Sequence, residues 1–567
     1  MKIRHISIRN FRGIKVLDWC VKGDLLCLIG ACDATKSTIL DAIEYVLFPK
    51  WNISFEDSDF YNLDVTNNIA IDISVGQLPV EFLSEQKFGL CLRGWNENSG
   101  LKDEPEDEDE LVLTVSLQIA KDLEPKWMIK NNRLQEEKRI SASDRSALGM
   151  TRLGVYADRH LSWATGSILA GMTGENININ DILAEAARKI RNEVDLHALQ
   201  DIAKAVSDAE QLGKNLGVTP KNSLKAHIDL KRVSIKESGV ALHDGNVPLR
   251  LSGTGTQRLM GLALQLNLIK HGGINLIDEI EYGLEPHRIY QILKLLQQNI
   301  SSQGQIFLTT HSPSVLQELD IKSLKLVFSE KGTTTIKDFN DDEQFQKLMR
   351  SSPSAFLAKR IIVCEGKTEQ GILRGVDDKW QTENKQGMWS YGVTSVDGNG
   401  ENSFDTAKQF HSLKYNVIWW GDSDVDAHNE KKQTLIKESI PVVQWDNKCN
   451  LEGRLFTDLP WEAIKELIDI AVTLHGQQSV IDQVISVKNT IPNSFNEWAD
   501  SNDMRSALSI AAHKKEWFKT ISYAEKVGEV VAKYLDKIED KDLSKKISAI
   551  RSWIETGKYC SSSTGVK

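Results

Sequence analysis

The sequence has no basic surplus. Lys and Arg number 69 against 79 Asp and Glu, a formal net charge of −10. Bulk charge does not announce a nucleic-acid partner, so one would need a local basic patch or bridging metal ions. Cysteine is scarce too, with seven in 567 residues and no C-x-x-C pair. That pattern gives no disulfide framework and no zinc knuckle, and it suits a reducing compartment. No apolar run approaches the roughly 18–20 residues that cross a bilayer. The opening MKIRHISIRNFRG lacks the apolar stretch of a signal peptide. A cytoplasmic protein without a membrane partner is expected. What is present, 41% hydrophobic and 26% charged residues, is ordinary globular composition, long enough for several domains.

Residues 3–9 alternate as a half-buried strand does, and Asn10-Phe11-Arg12-Gly13 reads as a turn. Leu25–Ile29 is a short apolar run ending at Gly30, and residues 37–47 (STILDAIEYVL) carry apolar residues at helical spacing. Between them, Gly30-Ala31-Cys32-Asp33-Ala34-Thr35-Lys36-Ser37 fits the phosphate-loop pattern G-x-x-x-x-G-K-[ST] at every fixed position but one. Backbone N–H groups and the following helix N-terminus would cradle phosphates. Lys36 would meet the β- and γ-phosphates, and Ser37 would ligate Mg²⁺. Thr35 stands where the pattern asks for Gly, whose backbone freedom a β-branched residue lacks. Asp103 to Glu110 holds seven acidic residues in eight, which predicts a solvated loop.

Further along, Ile274-Asn275-Leu276-Ile277 is an apolar strand ending in Asp278-Glu279. An Asp there holds the Mg²⁺ shell, and the adjacent Glu polarises the attacking water. Before it, Leu251-Ser252-Gly253-Thr254-Gly255 opens a helix, and residues 305–310 form a strand leading to His311, placed to sense a γ-phosphate. Phosphate loop, Ser/Gly-rich signature, acidic pair and histidine resemble, in this order, the ABC-type ATPase heads. A long insertion separates Lys36 from Asp278, and together with Asn10-Phe11-Arg12 this resembles the SMC/RecF branch. The resemblance implies ATP bound by Gly30, Asp33, Lys36, Ser37, Thr38, Asp278, Glu279 and His311. Ser252 and Gly255 would complete an ATP site on a second subunit, so at least a homodimer is implied.

Near residues 351–358 a second α/β unit begins. Arg360–Cys364 is a strand ending in Glu365-Gly366, and Glu369 follows at helical spacing. Tyr415–Trp420 is a strand leading to Gly421-Asp422-Ser423-Asp424, and Glu452 is a further acidic candidate. Carboxylates gathered at sheet ends repel one another unless a divalent cation neutralises them, and oxygen-only ligation suits Mg²⁺ or Mn²⁺. The Glu-Gly strand end followed by D-x-D resembles the Toprim domain. An SMC/RecF-like ATPase followed by a Toprim domain resembles the OLD (overcoming lysogenization defect) family of ATP-dependent endonucleases.

That resemblance implies an α/β chain divided into four segments. Residues 1–165 would form the N-terminal half of the ATPase and residues 246–350 its C-terminal half. Residues 166–245 would be a helical insertion for dimerisation, and residues 351–567 a Toprim nuclease. It implies a Mg²⁺-dependent DNA endonuclease gated by an ATPase dimer and acting in anti-phage defence. Metal would be held by Glu365, Glu369, Asp422, Asp424 and Glu452, with Ser37 and Asp278 holding the ATP-site ion. Family nucleases use a late lysine, for which Lys515 is the choice within His513–Lys519. Family members work alone, beside a helicase, or beside a retron reverse transcriptase with its RNA–DNA hybrid, so these are the partner candidates besides DNA. The alternative is an ATP-gated DNA clamp or sensor without nuclease activity.

Overall fold

The computed structural model describes all residues except 32–33, 50–52, 134–137, 165–166, 174–181, 184, 187, 190–192, 195, 217–220, 227–239, 271, 301–303, 340, 384 and 560–567. The chain forms two compact units. One comprises Met1–Cys27, Thr35–Thr310 and Glu330–Thr334; the other comprises Leu28–Ala34, His311–Ser329 and Thr335–Lys567.

In the first unit the alternating start becomes the strand Lys2–Phe11, with Ile6 and Ile8 buried. It is flanked antiparallel by Ile14–Cys20 and Ile69–Gly76, with Ile8 opposite Leu17 and Ile6 opposite Ile73. Glu110–Ile119 continues the antiparallel region beside Ile69–Gly76. A parallel trio, Met150–Leu153, Gly273–Ile277 and Gly304–Thr309, runs in register with Leu153, Ile277 and Leu308 abreast. The last two of these strands are buried along their whole length, as parallel strands covered on both faces are. Their carboxyl ends deliver Asp278 and Thr309 side by side.

The acidic run is a turn region with Glu104, Glu106, Asp107 and Glu108 exposed, as its composition predicts, but two of its acids are pinned. Asp109 is nearly buried and lies 3.4 Å from Lys102, while Arg93 pairs with Asp103 at 2.7 Å. Opposite charges on the neighbouring strands turn a repulsive stretch into a pinned one. Part of the expected helical insertion at 166–245 lies outside the described residues. Within it, Gln200–Asn215 is a helix.

The second unit contains a four-stranded parallel sheet, Arg360–Cys364, Val393–Asp397, Asn416–Gly421 and Val442–Gln444. In space the order is second, first, third, fourth. Neighbours change side between the first and third strands, so a crevice opens outside their carboxyl ends. Helices Leu451–Asp458, Trp461–His475, Gln477–Val487, Asn502–Lys514, Ile521–Tyr534 and Asp542–Thr556 follow. The core is rich in tryptophan, with Trp419, Trp420, Trp445, Trp517 and Trp553 fully buried.

The helix Lys367–Thr382 lies against Ile521–Tyr534 through glycines. A Cβ on Gly375 would stand 1.9 Å from the Glu525 carbonyl oxygen, and one on Gly528 would stand 2.3 Å from that of Ile372. Backbone meets backbone, so no side-chain rotation makes room. Gly375→Ala should destabilise this unit by about 1–3 kcal/mol through overpacking. Urea denaturation followed by fluorescence of the buried tryptophans measures it, and an unchanged midpoint would contradict the packing described.

Candidate functional site

Two constellations of polar side chains stand at strand ends. In the first, Lys36 opens the helix Lys36–Leu47 and is buried. Ser37 is exposed and Thr38 half-buried. Gly30 has φ +144°, and a Cβ there would sit 2.4 Å from the Val327 carbonyl oxygen, so only glycine fits. Thr35 takes the left-handed conformation, φ 65° and ψ 19°, that the missing glycine would adopt freely. Its methyl is accommodated because Gly13 has no side chain: a Cβ on Gly13 would meet Thr35 Cγ2 at 2.9 Å. Asp33 lies outside the described residues.

Asp278 is buried. Its Oδ1 accepts from Ser37 Oγ at 3.1 Å and from Thr309 Oγ1 at 2.5 Å. Thr309 Oγ1 accepts in turn from the Glu279 N–H at 2.8 Å, and Glu279 bends away with φ 44°. Arg258 donates to the Asp278 and Glu279 carbonyls at 2.5 and 3.0 Å, tying the helix Thr254–Ile269 to this strand end. Ser252 precedes that helix and donates to the Leu249 carbonyl. A Cβ on Gly255 would meet the Gly283 carbonyl oxygen at 2.7 Å. His311 is exposed, just past the strand Gly304–Thr309. Ser37 and Asp278 together present hard oxygen donors, which fit Mg²⁺.

In the second constellation, Glu365 and Asp422 follow the first and third parallel strands. Glu365 Oε2 accepts the Asp422 N–H at 2.8 Å, joining the two strand ends. Glu369 accepts the Gly366 N–H at 3.0 Å from the first turn of its helix and is buried. Asp422 Oδ1 accepts from Trp445 Nε1 at 3.1 Å. The Ser423 N–H donates to the Cys449 carbonyl at 3.1 Å, and the Cys449 N–H donates to Ser423 Oγ at 2.9 Å. This pair of bonds places buried Glu452, in the first turn of Leu451–Asp458, against the D-x-D loop. Asp424 stays exposed at the rim.

The electrostatics are those of crowded acids. Burial raises the Asp422 carboxyl well above its usual range, and Glu369, Glu365, Glu452 and Asp424 raise it further. Burial pushes Glu369 up to about 8, with Glu365 and Glu452 adding to the shift. Glu365 is raised by burial as well, with Asp424 adding to it. Hence Glu365, Glu369, Asp422, Asp424 and Glu452 share one field. Among the described residues no three His, Cys, Asp or Glu side chains stand close enough to hold one ion as they are. The donor chemistry still fits a hard divalent cation, since neutralising charge is what these raised acids lack.

Lys515 is an exposed helix C-cap, and no described contact joins it to the acids. Other basic groups reach them, among them His428, whose Nδ1 lies 4.0 Å from Glu365 Oε1. Lys432, buried on the helix Asn429–Lys437, donates from Nζ to the Asp422 carbonyl at 2.6 Å, 5.5 Å from the Trp419 ring centre. Burial lowers its pKa while Glu365, Asp422 and Asp424 oppose that shift. His513 places Nδ1 3.2 Å from Glu452 Oε2, and this bond raises its pKa. The apolar faces of both helices carried the only sequence signal, since a polar residue turned toward a strand end is visible only once the helix is docked. Arg152, whose Nη2 reaches Asp278 Oδ2 at 3.1 Å, gave no sequence signal at all.

A family model for an AAA ATPase domain matches residues 1–155, and one described as "AAA domain, putative AbiEii toxin, Type IV TA system" matches residues 128–317. The N-terminal portion of the chain therefore carries AAA-type ATPase domains. No curated protein matches. Among solved structures, the SMC head domain from Thermotoga maritima is 15% identical with a TM-score of 0.30, covering 60% of this chain and all of that one. An SmcHead bound to the C-winged helix domain of ScpA is 14% identical with a TM-score of 0.33, covering 60% and 98%. A third, an Smc head domain with an extended coiled coil bound to a ScpA domain derived from Pyrococcus furiosus, is 12% identical with a TM-score of 0.33, covering 61% and 98%. Likeness at this level says nothing about chemistry. No helix among the described residues is long and apolar enough to cross a membrane.

The fit of Thr35 against Gly13 generates a double-mutant prediction. Gly13→Ala should destabilise the loop, and Thr35→Gly in the same chain should restore it, with a coupling of about 0.5–3 kcal/mol. Thermal unfolding with and without ATP measures it; additive effects would show that the two residues do not meet.

Proposed function

We propose that this protein is an ATP-binding, Mg²⁺-dependent DNA endonuclease of the OLD type, in which residues 351–567 form a Toprim nuclease domain. The observation that carries this reading is the gathering of Glu365, Glu369, Asp422 and Glu452 where neighbouring strands part, held by hydrogen bonds or helix register, with Asp424 exposed at the rim. Glu365, Glu369 and Asp422, whose pKa values burial and neighbouring acids raise, are costly to ionise unless a cation is to be held there. Two-metal phosphodiester hydrolysis is the chemistry that an all-carboxylate site at such a crevice supports.

The bound ions would supply Lewis acidity and a water of lowered pKa. Asp422 and Asp424 would hold them, with Glu369 and Glu452 completing the set. Glu365, anchored by the Asp422 N–H, would orient the attacking water. Lys432 stands beside the acids, where a lysine that stabilises the transition state is needed, and it replaces Lys515 as the better-supported candidate. In the ATPase, Lys36, Ser37 and Asp278 would bind Mg-ATP, Glu279 would polarise the water, and Ser252 with Gly255 would face the nucleotide of a second subunit in a homodimer. The anti-phage role, and a helicase or reverse transcriptase as partner, rest on the family resemblance. A second reading, an ATP-gated DNA clamp with an idle acidic site, is favoured by one observation: among the described residues the acids do not close into a metal shell as they stand.

Plasmid nicking with Mg²⁺ or Mn²⁺ separates the two. Wild-type protein should nick, EDTA should stop it, and Asp424→Ala should lower cleavage by about 100-fold or more while ATP binding is unchanged. Lys36→Ala should abolish ATP binding. Normal cutting by Asp424→Ala would sink the nuclease assignment, and a wild-type protein that binds DNA without nicking would leave the clamp.

A further inference from the structure

The turn Asn10-Phe11-Arg12 is joined to Asp278 by a chain of ion pairs that the roles above leave unused. Arg12 donates from Nε to Asp59 at 2.8 Å and from Nη1 to Asp41 Oδ2, and its Nη2 reaches Tyr45 Oη at 3.1 Å. The other oxygen of Asp41 is taken by Arg152 Nη1. The same Nη1 reaches Glu44 Oε2 at 2.7 Å, and Arg152 Nη2 reaches Asp278 Oδ2 at 3.1 Å. Asp41, Glu44 and Tyr45 all lie on the helix that begins at Lys36. Arg152 is largely shielded, and although burial works against its charge, the three carboxylates outweigh it and raise its pKa.

The division of labour on Asp278 is specific. Its backbone carbonyl is held by Arg258, its Oδ1 by Ser37 and Thr309, and its Oδ2 by Arg152. A guanidinium is suited to this because its planar fork addresses carboxylates in two directions at once, which an ammonium cannot reproduce. We propose that Arg152 is a positioning residue of the nucleotide site, fixing the Asp278 carboxylate by tying it to Asp41 and Glu44 so that Asp278 and the Ser37 hydroxyl stay matched to one divalent cation. This rests on the reading of Ser37 and Asp278 as the ATP-site metal pair. The described contacts of Arg152 are to Asp41, Glu44 and Asp278, so its effect would pass through Asp278. The prediction is therefore a defect in metal dependence rather than in nucleotide binding itself.

The test uses the full-length protein. A fluorescent ATP analogue is titrated in EDTA and again in Mg²⁺, and hydrolysis is followed against Mg²⁺ concentration. Arg152→Met should leave the EDTA affinity within about twofold, lose most of the affinity gained on adding Mg²⁺, and raise the half-maximal Mg²⁺ concentration about 10- to 100-fold, the range for a group that orients a metal ligand. Arg152→Lys should recover part of this, since charge returns without the fork. Wild-type Mg²⁺ dependence in Arg152→Met overturns the proposal, and so does an equal loss of binding in EDTA and in Mg²⁺, the mark of general damage. If circular dichroism shows that Arg152→Met does not fold, Arg152→Lys decides: a raised Mg²⁺ requirement at unchanged EDTA affinity supports the proposal, and none overturns it. A wild-type protein that binds nucleotide without hydrolysing it refutes the ATPase reading, while the Mg²⁺-dependent gain in affinity still decides the role of Arg152. A wild-type protein that binds no nucleotide overturns both.

Discussion

The bond from the Asp422 N–H to Glu365 Oε2 is the contact on which the gathering of acids in the second unit depends. It draws one acid across the gap between two parallel strands and fixes it against the backbone that carries another. Without it, two like charges at neighbouring strand ends would turn toward water, where their repulsion is screened. The bond succeeds because the loop around it is pinned from three sides, by Trp445 on the Asp422 carboxylate, Lys432 on its carbonyl and Cys449 on Ser423. Glu452 arrives as a by-product of the last of these, since the Cys449 hydrogen bonds set where the next helix starts.

The nucleotide constellation follows the same rule with a different solution. Asp278 also stands at a parallel strand end, but its neighbours are hydroxyls and guanidinium groups rather than acids. In one place acids crowd one another with few cationic neighbours, and in the other the carboxylate is matched by donors within the protein. The first arrangement holds several acids in one field; the second pairs its acid with hydroxyl and guanidinium donors.

Much of this was legible in the sequence where local pattern decides. The runs at Leu25–Ile29, Ile274–Ile277 and Arg360–Cys364 had to be buried strands, and polar residues immediately after such runs had to lie at sheet ends. Glu365, Asp422, Asp424 and Asp278 could be named for that reason, and Lys36 from the phosphate-loop pattern. The cationic groups were not legible. Lys432 and His513 depend on how a helix is docked, and Lys515, two residues from His513, looked equivalent in one dimension yet lies on the solvent side. Arg152 sits in a four-residue strand with no motif, and its role exists only because Asp41, Glu44 and Asp278 converge on it. The acidic run at 103–110 is the exposed turn its composition predicts, but the pairing of Asp103 and Asp109 with Arg93 and Lys102 was not legible, because those cations sit on paired neighbouring strands that composition alone does not bring together.

The glycine contacts between Lys367–Thr382 and Ile521–Tyr534 have a mechanical corollary. Two helices touching main chain to main chain at Gly375 and Gly528 cannot slide or roll past each other without collision. Glu369, one turn into the first of them, is thus carried on an anvil. Whatever adjustment lets the acids close around a ligand must come from the hammer side, the short Asp422–Asp424 segment and the side chains that reach it.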